Sequence, residues 1–251
     1  MPNTYISIGH GPHRDLGLHG WFGSARGWGP LVNVLDRERF TYVFMDYRGY
    51  GGSKAAPGKF TIEEIATDAI ALADSLRWDR FSLLGHSMGG KAIQRVLVDA
   101  PSRVNKLVAV TPVPAAAVPF DDAGWGLFTS AAKSADARRG IIGFSTGNRL
   151  SATWVNTMAR HSLDNSTEEA FAAYLLAWAK SDFSARVQGL TTPVKVIVGE
   201  HDPAITADII GATFLVNYPH ATLEVMTNAG HYPMDETPVA LATSIEAFLG
   251  D

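Results

Sequence analysis

The chain contains no cysteine among its 251 residues. That excludes disulfides, thiolate nucleophiles, zinc–thiolate sites and iron–sulfur clusters, and nothing points to an oxidising compartment. Charge is also scarce: 18% of residues are Asp, Glu, Lys or Arg, and 21 basic against 25 acidic residues leave a formal net charge of −4. No Lys/Arg-dense block occurs, so neither a nucleic-acid surface nor an anionic-membrane surface is expected. No run of about 18 apolar residues is present. The first residues, MPNTYISIGHGPHR, lack a basic segment followed by an apolar one. A cytoplasmic protein with no membrane association is the expectation.

What is present is an alternation of short apolar runs and helix-period stretches, the pattern of a parallel sheet wrapped by helices. Strands are expected near Tyr5–Ile8, Arg14–His19, Phe40–Met45, Arg80–Leu84, Lys106–Thr111, Val194–Gly199 and Thr222–Met226. Helices are expected around Ser24–Asp36, Thr61–Leu76, Met88–Asp99, Ala207–Tyr218 and Pro238–Leu249, and Thr61 with Glu64 fits a capping box. The alternation stops between Ala117 and Leu190. This aromatic-rich stretch shows helical periodicity without a convincing strand and reads as an insertion, its pieces separated by Gly140, Gly143, Gly147 and the Ser166-Thr167 capping signal. Of its aromatic residues, Trp125, Phe128, Trp154 and Trp178 are expected to face a pocket between insertion and sheet, together with Phe22 from the sheet side.

The segment Gly85-His86-Ser87-Met88-Gly89-Gly90-Lys91 contains G-x-S-x-G, which alone is a weak signal. Its context strengthens it, because an apolar strand ends in the motif and a helix-forming stretch follows at once. A serine in such a strand-to-helix turn exposes its hydroxyl, and the Met88 backbone N–H at the helix start can stabilise an oxyanion. The competing reading is a helix-capping serine. A serine nucleophile needs a base, usually a histidine oriented by a carboxylate. Of eight histidines, His231 in Asn228-Ala229-Gly230-His231-Tyr232-Pro233 directly follows the last expected strand. His86 adjoins the serine but points away from it, His19 and His220 flank strands, and His10, His13 and His161 have no comparable setting. Asp202, after the strand Val194–Gly199 and before Pro203, is preferred over Glu200 as the carboxylate; Asp121, Asp122 and Asp164 are weaker candidates. The glycine-bracketed turn His19-Gly20-Trp21-Phe22-Gly23 can offer the Trp21 N–H as a second oxyanion donor, with Phe22 as the alternative.

These residues resemble the α/β-hydrolase superfamily through five landmarks in order: His19-Gly20, Asp46–Ser53, Gly85–Gly90, Gly199–Asp202 and Gly230-His231. The form Gly-His-Ser-Met-Gly-Gly-Lys is similar to that of small esterase-like members with a helical cap. The resemblance implies an α/β-hydrolase fold, a mostly parallel sheet of about seven strands flanked by helices. Its core would comprise residues 1–116 and 191–251, with 117–190 as an inserted cap. It implies that Asp46 and Arg48 are structural. Only 18 residues precede His19, so the first of the family's usual eight strands is expected to be missing or displaced, and Arg14-Asp15 stands where the family is commonly apolar. The expected activity is hydrolysis of a small to medium, largely apolar carboxylic ester through an acyl-enzyme. Ser87 would be the nucleophile, His231 the base, Asp202 the orienting acid, and Met88 and Trp21 the oxyanion donors, with no metal or organic cofactor. Lactone, thioester, amide or carbon–carbon hydrolysis and perhydrolysis use the same triad. Dehalogenase and epoxide hydrolase activities need an aspartate at position 87. A reading from another class is a small-ligand sensor that signals through its cap. The oligomeric state is left open.

Overall fold

A computed structural model describes residues 3–250. Its seven strands form one sheet: β1 (Tyr5–Gly9), β2 (His13–Leu18), β3 (Phe40–Met45), β4 (Phe81–His86), β5 (Val104–Val110), β6 (Val194–Gly199) and β7 (Ala221–Met226). Their order is β1-β3-β2-β4-β5-β6-β7. Strand β1 runs antiparallel to β3, and every other neighbouring pair is parallel. The helices are α1 (Ile62–Ser75), α2 (Met88–Asp99), α3 (Asp122–Ser130), α4 (Ala135–Ser145), α5 (Ala152–Asn165), α6 (Glu168–Lys180), α7 (Ser184–Val187), α8 (Ala207–Ala212), α9 (Phe214–Asn217), α10 (Pro233–Glu236) and α11 (Pro238–Gly250). None is long and apolar enough to cross a membrane.

The central strand β4 is buried along its whole length, as a strand with both faces covered must be, whereas edge strand β7 alternates with partly exposed positions. Parallel strands put their carboxyl ends on one edge of the sheet, so the chain after Leu18, His86, Val110, Gly199 and Met226 emerges together. Asp46, just after β3, ties down three separate segments. Its carboxylate accepts the Ala25 N–H at 2.8 Å, the Gly52 N–H at 3.0 Å and the Thr4 hydroxyl at 2.9 Å. Arg48 makes a two-pronged contact with Asp68 of α1, both bonds at 2.8 Å. Both residues brace the scaffold.

Several local expectations are corrected. No α-helix forms over Ser24–Asp36; only a 3-10 turn at Gly29–Asn33 appears. Gly29 adopts φ +53, Pro30 has no N–H to donate, and the Ala25 N–H is taken by Asp46, so helical hydrogen bonding cannot propagate. The expected helix Ala207–Tyr218 is broken into α8 and α9 at Thr213, whose hydroxyl bonds back to Ile209 O. Thr61 caps α1 by accepting the Glu64 N–H, but the Glu64 carboxylate turns to the Lys59 and Phe60 N–H groups instead of closing the reciprocal box. At the departure noted in β2, Arg14 is exposed and Asp15 is buried.

Between β5 and β6 the chain forms helices α3 to α7 and no strand. Side-chain caps start the four longer ones: Asp121, Ser134, Ser151 and Thr167 each accept an N–H from the first turn. Gly140 and Gly143 lie inside α4 rather than between pieces, and only Gly147 lies in the connection that follows. The insertion has its own organising group in buried Arg138. Its guanidinium lies 3.6 Å from the Phe171 ring centre and donates to Ala131 O, Ser162 Oγ and Ser166 Oγ. Lys91, on the first turn of α2, joins insertion to sheet: its buried ammonium donates to the carbonyls of Ala116, Trp178 and Ser181 at 3.0, 2.9 and 2.6 Å.

Candidate active site

Strand β4 delivers its last residue, His86, straight into Ser87, and α2 begins at Met88. Ser87 has φ 54 and ψ −116, a left-handed conformation that costs a non-glycine residue roughly 1–3 kcal/mol. Hydrogen bonds hold it there. Its N–H donates to Val110 O at 3.0 Å, and its carbonyl accepts the N–H groups of Gly90 and Val113 at 2.8 and 3.0 Å. The glycines on either side are a packing requirement, since a Cβ on Gly85 would sit 2.5 Å from Gly89 O and one on Gly89 would run into Leu18 O.

His231 lies in the loop between β7 and α10, and its Nδ1 is 2.6 Å from Asp202 Oδ2. The other oxygen of Asp202 accepts the N–H groups of Ala204 and Ile205 at 2.9 and 3.1 Å. Burial alone would raise this carboxyl. The adjacent His231, which attracts and hydrogen-bonds it, and the two N–H groups outweigh burial and hold it below the usual carboxylate value. The histidine's backbone is fixed equally firmly: its carbonyl accepts from His86 Nε2 at 2.8 Å and Thr111 Oγ1 at 3.1 Å, and its N–H donates to Ser145 O at 3.1 Å. His86 is therefore a support beneath the histidine loop. Burial, and then the proximity of His231, push its pKa down to about 3, so the ring is neutral and donates through Nε2–H. Glu200 accepts the Asn228 N–H at 3.0 Å and pairs with His201, so it holds the turn that leads to His231.

The turn His19–Gly23 crosses directly over the serine, because a side chain at Gly20 would meet the His86 ring at 2.8 Å and Ser87 Cβ at 3.1 Å. Its first three carbonyls are engaged. His19 O accepts the Tyr47 hydroxyl at 2.7 Å, Gly20 O accepts the Gly23 N–H at 3.0 Å, and Trp21 O accepts the Tyr50 hydroxyl at 2.9 Å. In a planar trans peptide the N–H points opposite the carbonyl, so these bonds orient the N–H groups of Trp21 and Phe22 as well. The Trp21 side chain reaches the other way, with its ring stacked at 4.0 Å on Phe171 and its Nε1–H bonded to Phe171 O at 2.8 Å.

Ser87 and His231 open into one cavity of about 350 Å³ between the sheet edge and the insertion. Trp21, Phe22, Val113, Val118, Phe120, Phe128 and Trp178 form part of its wall, and Ile141, Phe144, Ser145, Ile205, Ile209 and Tyr232 form much of the rest. Among the described residues, no Lys, Arg, Asp or Glu lines it. Of the aromatic residues expected to face a pocket, Phe22, Phe128 and Trp178 do so. Trp125 instead packs on Phe120 beneath the Lys180 ammonium, and Trp154 packs edge-on against Tyr232, so each backs a residue of the cavity wall without lining the cavity itself. Sequence reasoning missed Ile141 and Phe144, which share a face of α4 at i and i+3, and Tyr232, which directly follows the histidine. It also missed Tyr47 and Tyr50, which lie within the Asp46–Ser53 landmark and bond the turn.

A family model described as the α/β hydrolase fold matches residues 16–238. The chain is 29% identical over 224 residues to the 3-oxoadipate enol-lactonase 2 of Acinetobacter baylyi, covering 85% of this chain and 80% of that protein. It is 24% identical over 249 residues to the esterase YbfF of Escherichia coli, covering 93% and 92% of the two chains. Among solved structures, a bromoperoxidase from Bacillus anthracis superposes with a TM-score of 0.87 over 98% of this chain and 95% of its own, at 20% identity, a likeness of fold alone.

Proposed function

The chain belongs to the α/β hydrolase fold family, and from that premise we propose that it hydrolyses an uncharged, mainly apolar carboxylic ester or lactone through a covalent acyl-serine. One observation carries the reading: Ser87 and His231, the latter bonded to Asp202, share a single cavity whose wall is apolar and free of charged side chains. Ser87 Oγ attacks the substrate carbonyl carbon while His231 Nε2 takes the hydroxyl proton, and the carbonyl electron pair moves to oxygen. The Met88 and Trp21 N–H groups meet that oxyanion, each donor being worth about 3 kcal/mol in the transition state. Collapse of the tetrahedral species breaks the carbon–oxygen bond, and the leaving alkoxide takes the proton from His231. Water then gives a proton to His231 and its oxygen to the acyl carbon, and Ser87 leaves reprotonated. In a lactone the leaving alcohol stays tethered to the acid. Asp202 holds the ring with its proton on Nδ1 and favours the imidazolium that forms at each step. Helices α3 to α7 act as a cap that shapes the site.

The uncharged wall separates this reading from the chemistry in the lactonase's name. The enol-lactone of 3-oxoadipate retains a carboxylate, and this cavity offers it no cation. Burying an unpaired carboxylate costs several kcal/mol. Neutral p-nitrophenyl butyrate and anionic p-nitrophenyl hemisuccinate have similar size, and kcat/KM should favour the former at least a hundredfold. Ser87→Ala should lower turnover at least a thousandfold, and Asp202→Asn should cost far more than Glu200→Gln. Turnover retained by Ser87→Ala would overturn the acyl-serine, and equal use of the two esters would overturn the substrate class.

A further inference from the structure

His231 is held at its ring by Asp202 and at its own carbonyl by His86 and Thr111, and a second carboxylate fixes the amides on either side of it. Glu236, at the end of α10, is buried to 1% side-chain exposure. Its Oε1 accepts the N–H groups of Gly230 at 2.9 Å and Tyr232 at 3.1 Å, the residues on either side of the histidine. Its Oε2 is 2.9 Å from Arg149 Nη1. Arg149 belongs to the insertion, in the connection between α4 and α5, and its Nη2 also donates to Asn228 O at 3.3 Å. Two further contacts join the same surfaces: Ser145 O at the end of α4 takes the histidine's own N–H, and a Cβ on Gly230 would lie 2.7 Å from Thr146 Cα. The carbonyl of Asn228 and the N–H groups of Gly230, His231 and Tyr232 are thus fixed either by the insertion or by a carboxylate that the insertion neutralises, while Glu200, His86 and Thr111 hold the Asn228 N–H and the His231 carbonyl.

We infer that Glu236 is a positioning residue for His231, and that Arg149 makes this positioning depend on the insertion being seated against the loop. A buried carboxylate without a counter-charge is costly, so loss of Arg149 loosens Glu236, and with it both amides that frame the histidine. Displacing a catalytic group by about 1 Å can cost on the order of a hundredfold in rate. The insertion that forms the apolar wall of the cavity is on this account also what aligns the base. The inference rests on the hydrolase reading above.

The experiment is a double-mutant cycle on p-nitrophenyl butyrate with Glu236→Gln, Arg149→Met and the pair, alongside Arg149→Lys and Lys133→Ala. Glu236→Gln and Arg149→Met should each lower kcat at least tenfold and leave KM within threefold. The rate at which a fluorophosphonate labels Ser87 should fall in parallel, since that step also needs the histidine as base. The pair should be no worse than the more damaging single variant within twofold, and Arg149→Lys should recover part of the loss. Lys133→Ala breaks the exposed Lys133–Glu168 contact within the insertion and should leave kcat unchanged. Wild-type kcat in Glu236→Gln and Arg149→Met, losses that multiply in the pair, or an effect confined to KM would each overturn the inference. Should Glu236→Gln fail to fold, the partly exposed Arg149 variants carry the test alone. The two readings fail separately: turnover in Ser87→Ala removes the hydrolase mechanism, whereas an inactive Ser87→Ala with wild-type Glu236 and Arg149 variants removes only the positioning role.

Discussion

Acidification should destabilise this protein through His86 in particular, and the amount follows from where that ring sits. His86 is buried beneath the histidine loop, donates to His231 O and has its pKa pushed down to about 3 by burial. The unfolded chain takes up a proton near the ordinary value of 6.5, while the native ring stays neutral. Between pH 6.5 and pH 3 the unfolded state therefore binds one more proton than the native state, and stability falls as pH falls. At about 1.4 kcal/mol per pH unit once the unfolded ring is mostly protonated, moving from pH 7 to pH 4.5 costs roughly 3 kcal/mol through this one residue. Other groups titrate over the same range, so the informative quantity is a difference. His86→Gln keeps an N–H donor for His231 O and removes the titration. Urea unfolding followed by tryptophan fluorescence, at half-unit steps from pH 7 to pH 4.5, should show wild type losing about 3 kcal/mol more than His86→Gln. Parallel pH dependences in the two proteins would show that the native ring accepts its proton, which would refute the buried neutral donor.

Asp15 titrates with the opposite sign. Burial, and secondarily Glu246, raise its pKa to about 8, so the native state keeps a proton that the unfolded chain has lost, and stability declines as pH rises from about 4 to 8. Asp15→Asn removes that cost and should raise stability by about 2–4 kcal/mol at pH 7 in urea titrations, with the gain vanishing below pH 4; a gain that persists there would contradict the cause given. Lys91→Met keeps the length of the side chain but strips three carbonyls of their donor, and should destabilise by about 2–4 kcal/mol. An unfolding midpoint equal to wild type would show that the ammonium does not tie α2 to the insertion.

The sheet was legible because most of its strands carry their own signal: mainly apolar runs of five to seven residues ending in glycine or a turn, with valine or isoleucine at buried positions of β3, β5 and β6. The residues that meet at the cavity were legible for a related reason. Ser87, Asp202 and His231 each sit just past a strand end, where topology brings loops together whatever the helices do. The stretch Ser24–Asp36 misled because its apolar spacing suits a helix, while Gly27, Gly29 and Pro30 forbid the hydrogen bonding. The insertion was legible as helical but not in its facing. Periodicity marks an apolar stripe on α3 and α5 but not how far along it the cavity extends: Phe128 lines the cavity, whereas Trp125, one turn earlier on the same face, and Trp154 on α5 pack behind wall residues Phe120 and Tyr232. Glu236 escaped notice because it acts on backbone N–H groups, which have no residue code. Its only local sign is an acidic residue shortly after His231 and just before Thr237-Pro238.

The backbone strain in the molecule has a distribution that explains why so many polar side chains surround the histidine. Six non-glycine residues among those described adopt positive φ, and three of them, Ser87, Thr111 and Asn228, stand at the ends of β4, β5 and β7 around the cavity. Thr111 is β-branched, for which this conformation is least tolerable. Each is held by more than one bond. Ser87 is fixed through Val110, Gly90 and Val113. Thr111 is fixed through its N–H to Ile197 O and its hydroxyl to His231 O, and Asn228 through Glu200 and Arg149. At roughly 1–3 kcal/mol apiece, the strain is comparable to what two or three net hydrogen bonds contribute. It persists because each strained residue is tied to a neighbouring strand end or to the histidine loop. Removing Glu200, Glu236 or Arg149 should therefore let the strand ends relax before the sheet itself opens, so that such variants shift His231 while their urea unfolding midpoints, set by the apolar core, stay near wild type.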